Sequence, residues 1–252
     1  QNLVMPLNTH GPSLVIGAAI AIVSVLSAAI VFGTDFIDFK VPKTGNDRND
    51  IAQQIGDSDK NQSDVYAMSL FTGNASPVLG SDNAPITLVE FGDYQCFYCN
   101  RFFHTTESDI VKNYVETGKV KMIFKDFTII GQDSINAAHA AHCAQEAGKF
   151  WEFHDILYNN WTGENNGWAS PSNISGFAKQ LGLNEEDFSS CMSEAKYLSV
   201  IKASNSDAKT LGLTGTPGFF VIGPDNSITK LSGAQPYEVF EEIFNSKLEK
   251  TK

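Results

Sequence analysis

"ITLVEFGDYQCFYCNRFF", residues 86–103, changes character in its middle and decides the fold. Its first part is a short apolar run of β-branched and aromatic residues, which predicts a buried strand, and the part after the cysteines has helical periodicity. A cysteine at a strand-to-helix junction lies among unpaired backbone N–H groups at the positive end of the helix dipole, which stabilises a thiolate. We therefore predict that Cys96 is an exposed nucleophile. Cys99, one helical turn on, is predicted to lie beneath it within disulfide reach.

Two cysteines with this spacing can also form half of a zinc site. The other candidate ligands form neither a second CxxC nor a zinc-finger spacing; they are His139, His142, Cys143 and Cys191. We therefore predict a redox pair that needs no metal and no organic cofactor. Four histidines are predicted to be helix-surface or cap residues without a role, and these are His104, His139, His142 and His154.

Glu90 lies in the middle of the apolar strand, six residues before Cys96. A carboxylate is costly at such a position unless it has a function, so we predict a buried acid near the sulfurs. Such an acid could exchange a proton with Cys99 as a disulfide opens and closes. The alternative is a strand register in which Glu90 faces solvent.

The segments after the cysteine pair predict a mixed α/β fold. A helix is followed by "KVKMIFKDF", residues 119–127, in which apolar residues alternate with Lys121 and Lys125, and this strand-helix-strand order predicts a parallel βαβ unit. Residues from about 131 to 212 are helical in character. The runs "PGFFVIG" and "SITKLSG" flank the turn "PDN" and predict a hairpin, after which an amphipathic helix ends the chain. We expect a mixed sheet that is covered by helices on both sides.

"TGTPGFF", residues 214–220, supplies a further motif. Together with Glu90, "CFYC" and the helical insertion, it resembles the thioredoxin superfamily, and specifically its DsbA-like thiol-disulfide oxidoreductases. "GKFWEFHDILY" and "LGLTGTPGFFVIG" are also similar in sequence to this family, so the resemblance covers about Pro77 to the C-terminus. It implies a thioredoxin fold with a helical insertion at about residues 131–212. Without the family, Pro217 would be only a turn residue before a strand.

The resemblance also implies roles for residues around the cysteines. It implies that Pro217 is cis and that its loop lies against the pair, where the backbone of Thr216 pairs with a bound substrate strand. The best-known oxidants of the family have Pro and His between the cysteines, whereas this chain has Phe97 and Tyr98. Tyr cannot carry the positive charge with which His helps to hold a thiolate, so we expect these two residues to modulate the redox potential.

Cys143 and Cys191 lie on two separate helical segments of the insertion. The resemblance implies that they form a second, structural disulfide, and the alternative is two unrelated buried thiols. A structural disulfide persists only in an oxidising compartment. We therefore expect the domain to lie outside the cytoplasm.

"SLVIGAAIAIVSVLSAAIVFG", residues 13–33, has no charged residue and, at about 1.5 Å per residue, can cross a hydrocarbon core of about 30 Å. We predict a retained transmembrane helix here, with a cleaved secretory signal as the alternative. A tail at residues 1–12 precedes it, a polar linker at residues 34–76 follows it, and the domain occupies residues 77–252. A positive-inside count of the basic residues after the helix would place the domain in the cytoplasm, but the family resemblance outweighs that count.

The composition is compatible with a folded enzyme. The 252 residues are 42% hydrophobic, and the net charge of −11 is spread along the chain, which argues against nucleic acid and anionic lipid as partners. We predict a membrane-anchored thiol-disulfide oxidoreductase that forms disulfides in exported proteins with free thiols. The resemblance implies reoxidation by a quinone-linked membrane protein of the DsbB or VKOR kind. The alternatives are a disulfide reductase or isomerase of the same fold, and a redox-idle accessory subunit of a membrane complex.

Overall fold

The computed structural model describes residues 65–250, and a four-stranded mixed sheet lies at their centre. The strands are β1 (Ile86–Gly92), β2 (Val120–Asp126), β3 (Gly218–Ile222) and β4 (Ile228–Ser232), in the spatial order β2-β1-β3-β4. β1 and β2 are parallel, whereas β3 is antiparallel to both β1 and β4. The predicted βαβ unit and the predicted hairpin are both present.

Helices follow the order expected from the sequence, with one addition at the start. They are α1 (residues 65–72), α2 (Phe97–Phe102), α3 (Ser108–Ile110), α4 (Gln132–Gln145), α5 (Phe150–Asn159), α6 (Pro171–Gln180), α7 (Glu185–Ser193), α8 (Leu198–Thr210) and α9 (Tyr237–Glu249). Two π-helical stretches, Phe103–Glu107 and Val111–Val115, continue the helical path on either side of α3. Helices α4 to α8 form the predicted insertion.

The side chains of β1 alternate between two apolar clusters, as expected for a strand buried on both faces. Leu88 packs in a cluster with Phe240 and Phe244 of α9. Val89 and Phe91 pack in a second cluster on the other face, which α8 also joins. The sheet is therefore covered on both sides. A third cluster fills the insertion and reaches Cys96 and Cys99, so the insertion and the cysteine pair share one core.

The folded region begins earlier than the sequence predicts. Residues 65–72 lie within the segment predicted as linker, yet they form α1, and its Met68 and Phe71 pack against the cluster around Val89. Phe71 lies edge-on to Phe220, with ring centroids 5.0 Å apart. The polar composition of the linker concealed these two apolar contacts, so the predicted boundary at Pro77 is too late.

Lys125 also differs from the prediction, because the strand pattern placed it opposite the apolar residues. Its side chain is fully buried and forms an ion pair of 2.8 Å with Asp207 of α8. Its ammonium group also donates to the carbonyl oxygen of Gly73, at the end of α1. Burial lowers the pKa of Lys125, while Asp207 acts in the opposite direction. Lys125 thereby joins α1, β2 and α8.

The predicted membrane helix at residues 13–33 lies outside the described residues. Between residues 65 and 250, no helix combines the length and the apolar character needed to cross a bilayer.

Candidate active site

Cys96 lies at the N-terminus of α2, four residues after β1 ends. It is the N-cap residue, with extended backbone angles, and its N–H donates to the carbonyl oxygen of Asp93 at 2.9 Å. Cys99 lies in the first turn of the helix and is fully buried. Both cysteines are free thiols. Cys96 was predicted to be exposed, but only 6% of it is accessible, because the loop at Thr216 covers its sulfur.

The surroundings of Cys96 favour its thiolate. The hydrogen bond from the Cys99 thiol has the largest effect and lowers the pKa of Cys96, while burial raises it. The hydroxyl of Thr216 and the backbone N–H groups of Cys99 and Tyr98 lower it further, to about 6. The helix N-terminus therefore contributes as predicted, but the neighbouring thiol contributes more.

Cys99 has the opposite environment. Burial, the hydrogen bond with Cys96 and the charges of Cys96 and Glu90 together raise the pKa of Cys99 well above its ordinary value. One thiol of the pair is therefore acidic and the other is not. In the fully reduced pair, the negative charge therefore rests on Cys96 and the proton on Cys99.

Glu90 is fully buried, so the alternative register that exposes it is wrong. It pairs with Phe124 of β2 and Phe219 of β3, and neither of its carboxylate oxygens has a hydrogen-bond partner among residues 65–250. Burial first, and then the charge of Cys96, raise the pKa of Glu90 to about 8. The structure therefore places a protonated acid within electrostatic reach of both sulfurs at neutral pH.

The Thr216-Pro217 peptide bond is cis, as the resemblance implied. The protonated Cys96 thiol lies 3.3 Å from the carbonyl oxygen of Thr216 and donates to it. The carbonyl oxygen of Pro217 accepts from the N–H of Gly233 at 2.8 Å, which fastens the loop to the end of β4. The structure thus brings together the cysteine pair and the Thr216-Pro217 loop.

Phe97 and Tyr98 form an exposed aromatic surface next to Cys96. They are 51% and 53% accessible, and their rings lie edge-on to each other at 5.3 Å. Phe97 also lies 6.1 Å from Trp161 of the insertion, measured between ring centroids. Large apolar side chains with this exposure are candidates for contact with a protein partner.

The insertion supports the cysteine loop through residues that the sequence analysis did not single out. Trp161 donates its indole N–H to the carbonyl oxygen of Gln95 at 2.8 Å, and Glu164 accepts from the N–H of Phe97 at 3.2 Å. Asp93 accepts from the N–H groups of Gln95 and Ile129. Asp93 begins a turn after a strand, which is a sequence signal for such a role, but nothing in the sequence links Trp161 or Glu164 to the cysteines.

Three of the four histidines predicted at surfaces or caps are buried instead. His142 lies 2.7 Å from the carboxylate of Asp126, and this neighbour raises the pKa of His142 although burial acts to lower it. His154 is fully buried among aromatic rings, including Tyr158 at 4.9 Å. Burial lowers the pKa of His139. Only His104 has the predicted exposure.

Cys143 of α4 and Cys191 of α7 form a disulfide with a Cα–Cα distance of 5.8 Å, which is the pairing that the resemblance implied. These two sulfurs also lie near His139 in one of two clusters of possible metal ligands among residues 65–250. The other cluster contains Glu107, His154 and Asp155. Cys96 and Cys99 belong to neither.

Comparison with known proteins agrees with this arrangement of strands, loop and cysteines. A family model described as thioredoxin matches residues 72–243, about two thirds of the chain. The chain belongs to the thioredoxin family. Disulfide bond formation protein D of Bacillus subtilis is 28% identical to it over 148 residues, which are 58% of this chain and 67% of that protein. The probable disulfide bond formation protein D of Bacillus cereus is 27% identical over 158 residues, 61% of this chain and 73% of that protein.

Two solved structures have a similar fold. Oxidised BdbD from Bacillus subtilis superposes with a TM-score of 0.62 at 25% identity, over 69% of this chain and 93% of that one. The thiol-disulfide exchange protein alpha-DsbA2 from Wolbachia pipientis gives a TM-score of 0.59 at 26% identity, over 79% and 99%. This thioredoxin-family chain is therefore a protein thiol-disulfide oxidoreductase with a DsbA-like fold.

Proposed function

We propose that the protein forms disulfide bonds in exported proteins, with Cys96 and Cys99 as its redox pair. The observation that carries the proposal is the difference between the two thiols, because the pKa of Cys96 is about 6 and the pKa of Cys99 is raised well above its ordinary value. The reduced enzyme then holds a stable thiolate at Cys96 at neutral pH. A stabilised reduced form makes the disulfide form an oxidant.

In the oxidised enzyme, a substrate thiolate attacks Sγ of Cys96. The new bond joins the substrate sulfur to Cys96, the Cys96–Cys99 bond breaks, and Cys99 leaves as a thiolate. A second substrate thiolate then attacks the substrate sulfur of this mixed disulfide. The substrate disulfide forms, Cys96 leaves as a thiolate, and two electrons have passed from the substrate to the enzyme.

Glu90 supplies the proton that the first step requires. A thiolate on Cys99 is unfavourable because the site is fully buried, and the pKa of about 8 keeps Glu90 protonated at neutral pH. Proton transfer from Glu90 to Cys99 neutralises the leaving group inside the protein. On reoxidation the proton returns by the same route.

The substrate binds along the Thr216-Pro217 loop and the exposed aromatic surface of Phe97 and Tyr98. Thr216 is half-buried and lies directly against Cys96, so a peptide paired with its backbone would bring a substrate sulfur to Sγ of Cys96. The two aromatic rings would contact apolar side chains that flank the substrate cysteine.

The domain lies outside the cytoplasm, and residues 13–33 hold it at the membrane. The disulfide between Cys143 and Cys191 supports this location, because such bonds persist in oxidising compartments. A quinone-linked membrane protein of the DsbB or VKOR kind reoxidises the cysteine pair. A membrane tether raises the effective concentration of the two proteins for each other.

The oxidase assignment is tested by equilibrating the full chain with glutathione buffers and measuring the reduction potential of Cys96 and Cys99. The pKa of Cys96 lies between those of thioredoxin and DsbA, about 7 and about 3.5. We expect a potential between the values of those two proteins, about −270 and about −120 mV. A potential at or below that of thioredoxin would make the protein a reductase instead.

The location is tested separately, in cells that make the full chain. We expect the protein to stay in the membrane fraction after alkaline extraction and to be digested by protease added to the outside of spheroplasts. Release by alkali would contradict the anchor, and protection from external protease would contradict the extracytoplasmic domain.

A further inference from the structure

A second group of chemically active side chains lies outside the cysteine pair. Glu107 ends the π-helical stretch that follows α2, and His154 and Asp155 are neighbours on α5. One possible ligand atom from each residue lies within 4.8 Å of the other two. We call Glu107, His154 and Asp155 the α5 triad.

Two members of the α5 triad are buried with unused hydrogen-bonding atoms. Glu107 is 4% accessible and His154 is fully buried. Oε2 of Glu107 and Nε2 of His154 have no hydrogen-bond partner among residues 65–250. Buried polar atoms almost always have a partner, so the unpaired Oε2 of Glu107 is a candidate ligand atom for an ion that is not part of the chain.

The local backbone supports a specific role for Glu107. Short π-helical stretches inside helices are rare and often mark functional sites. The stretch Phe103–Glu107 is one of these, and Glu107 is buried within it. Nδ1 of the His154 ring lies 3.2 Å from Oδ1 of Asp155, so these two atoms are the pair that could share an ion.

An ion can reach the α5 triad from solvent. Glu107 and Asp155 line a surface cavity of about 490 Å³, whose rim also holds Glu116, Lys112 and His104. Asp155 is exposed, with 57% of its side chain accessible. Glu107 and Asp155 line this cavity, whereas His154 is fully buried and does not, so the group has an open side for a water ligand.

The geometry points to a binding site for a divalent transition-metal ion, with Glu107, His154 and Asp155 as its ligands. One imidazole and two carboxylates with a free position suit zinc and similar ions. Two ligands at about 2.1 Å from a tetrahedral zinc ion lie about 3.4 Å apart, so the side chains must close by little more than an ångström. Because Glu107 follows the helix of the cysteines and the other two ligands belong to the insertion, the ion would join these two parts. The site is independent of the proposed redox function.

The experiment is equilibrium dialysis of the untagged full chain against micromolar Zn²⁺, with metal analysis and thermal unfolding of the same samples. The protein is first oxidised, so that Cys96 and Cys99 cannot bind the metal as thiolates. We expect about one equivalent of zinc per chain and a higher unfolding midpoint with zinc than without it.

Two variants and one control decide whether the α5 triad is the site. Asp155→Asn changes an exposed residue and leaves the core intact, and Glu107→Gln preserves the shape of the buried side chain. Each is expected to lower the zinc affinity at least about tenfold. Glu116→Gln, on the rim of the same cavity, is expected to bind zinc as the wild type does. The proposal is overturned if the wild type binds no zinc, or if either folded variant of the α5 triad binds it with unchanged affinity.

Discussion

The two cysteine pairs of this chain differ in almost every physical respect. Cys143 and Cys191 are 48 residues apart, bonded to each other, and packed between α4 and α7 in the apolar core of the insertion. Cys96 and Cys99 are three residues apart, are free thiols, and lie where a strand turns into a helix. The chemical group is the same in both pairs, so the difference comes from the surroundings.

The comparison shows what the surroundings of a reactive pair must supply. Cys96 receives hydrogen bonds from a thiol, a hydroxyl and two backbone N–H groups, which lower its pKa. Burial, then the hydrogen bond and charge of Cys96, and last the charge of Glu90 raise the pKa of Cys99. The bonded pair has apolar neighbours such as Phe153 and Phe188 in its cluster. A disulfide in apolar surroundings is stable, whereas polarised thiols can exchange.

The largest expected effect is a loss of activity that follows substitution in the reactive pair but not in the structural pair. Cys96→Ser removes the sulfur that the substrate thiolate attacks, and we expect the refolding of reduced ribonuclease to slow by about 10⁴-fold or more, the scale on which loss of an essential catalytic residue acts. The matched control is the double variant Cys143→Ala/Cys191→Ala, which should retain most of the activity. Equal loss of activity in both proteins would contradict the division between a reactive and a structural pair.

The next effect is a loss of stability that should be larger when the structural pair is substituted than when Cys96 is. The disulfide between Cys143 and Cys191 closes a loop of 48 residues, for which chain entropy predicts a stabilisation of about 4 kcal/mol. The double alanine variant should lose most of this in the free energy of unfolding, measured with urea on the oxidised protein. Cys96→Ser, measured under reducing conditions against the reduced wild type, should lose less than about 1 kcal/mol. A reversed order would mean that the active pair is the structural one.

Much of the reactive pair could be predicted because its decisive features are local in sequence. A strand, two cysteines and a helix follow one another within residues 86–103, and the period of the apolar residues changes between them. The parallel βαβ unit, the hairpin and the helical character of residues 131–212 also follow from such patterns. The disulfide, by contrast, came from family resemblance, because spacing alone does not identify which cysteines pair.

The features that escaped prediction depend on contacts between distant residues. Lys125 reads as a solvent-facing strand residue because its partner Asp207 lies 82 positions later. Glu164 accepts a hydrogen bond from the N–H of Phe97, which is 67 positions earlier in the chain. His154 looks like an ordinary helix residue, and only the folded insertion surrounds it with aromatic rings. Tertiary contacts of this kind leave no periodic signal in the sequence.

A smaller effect tests the buried acid of the reactive pair. The pKa of Glu90 rises from 4.5 to about 8 on folding, so the folded protein binds more protons than the unfolded chain between these values. Burial of Glu90 therefore lowers the free energy of unfolding as the pH rises from about 4.5 to about 8, and the full loss is present above that range. Glu90→Gln cannot ionise and should be more stable than the wild type by about 1–3 kcal/mol at pH 7.

The same variant should exchange disulfides more slowly, by about 10²-fold, because Cys99 loses its proton donor. Urea unfolding between pH 5 and pH 8, with exchange rates measured at each pH, checks both effects. Glu116→Gln, at an exposed glutamate, is the control and should change neither. If the stability of Glu90→Gln relative to the wild type did not increase between pH 5 and pH 8, the pKa of Glu90 would not be raised in the folded protein.

A still smaller effect tests the residues between the cysteines. Tyr98→His places a cation beside Cys96, which should lower the pKa of Cys96 and raise the reduction potential by about 30–60 mV, or ten- to a hundredfold in the equilibrium with glutathione. Thiolate absorbance between pH 4 and pH 9 measures the pKa, and in the wild type we expect a midpoint near 6. Tyr98→Phe adds no charge and should behave as the wild type. A wild-type midpoint no lower than that of free cysteine, about 8.5, would remove the physical basis of the reactive pair.

The smallest effect tests a contact between the insertion and the reactive pair. The insertion, which contains the structural disulfide, also supplies Glu164 to the helix of the reactive pair. Its carboxylate accepts from the N–H of Phe97 at 3.2 Å and places a negative charge near Cys96. Glu164→Gln keeps an oxygen for this hydrogen bond and removes the charge, so the thiolate of Cys96 should become slightly more stable. Glu164 is exposed, and we expect less than about 1 kcal/mol, seen as a less than fivefold change in the alkylation rate of Cys96 below pH 6. The change should shrink in about 1 M salt, where the Debye length falls to about 3 Å. An effect that is insensitive to salt would show that Glu164 acts on Cys96 through the position of α2 and not through its charge.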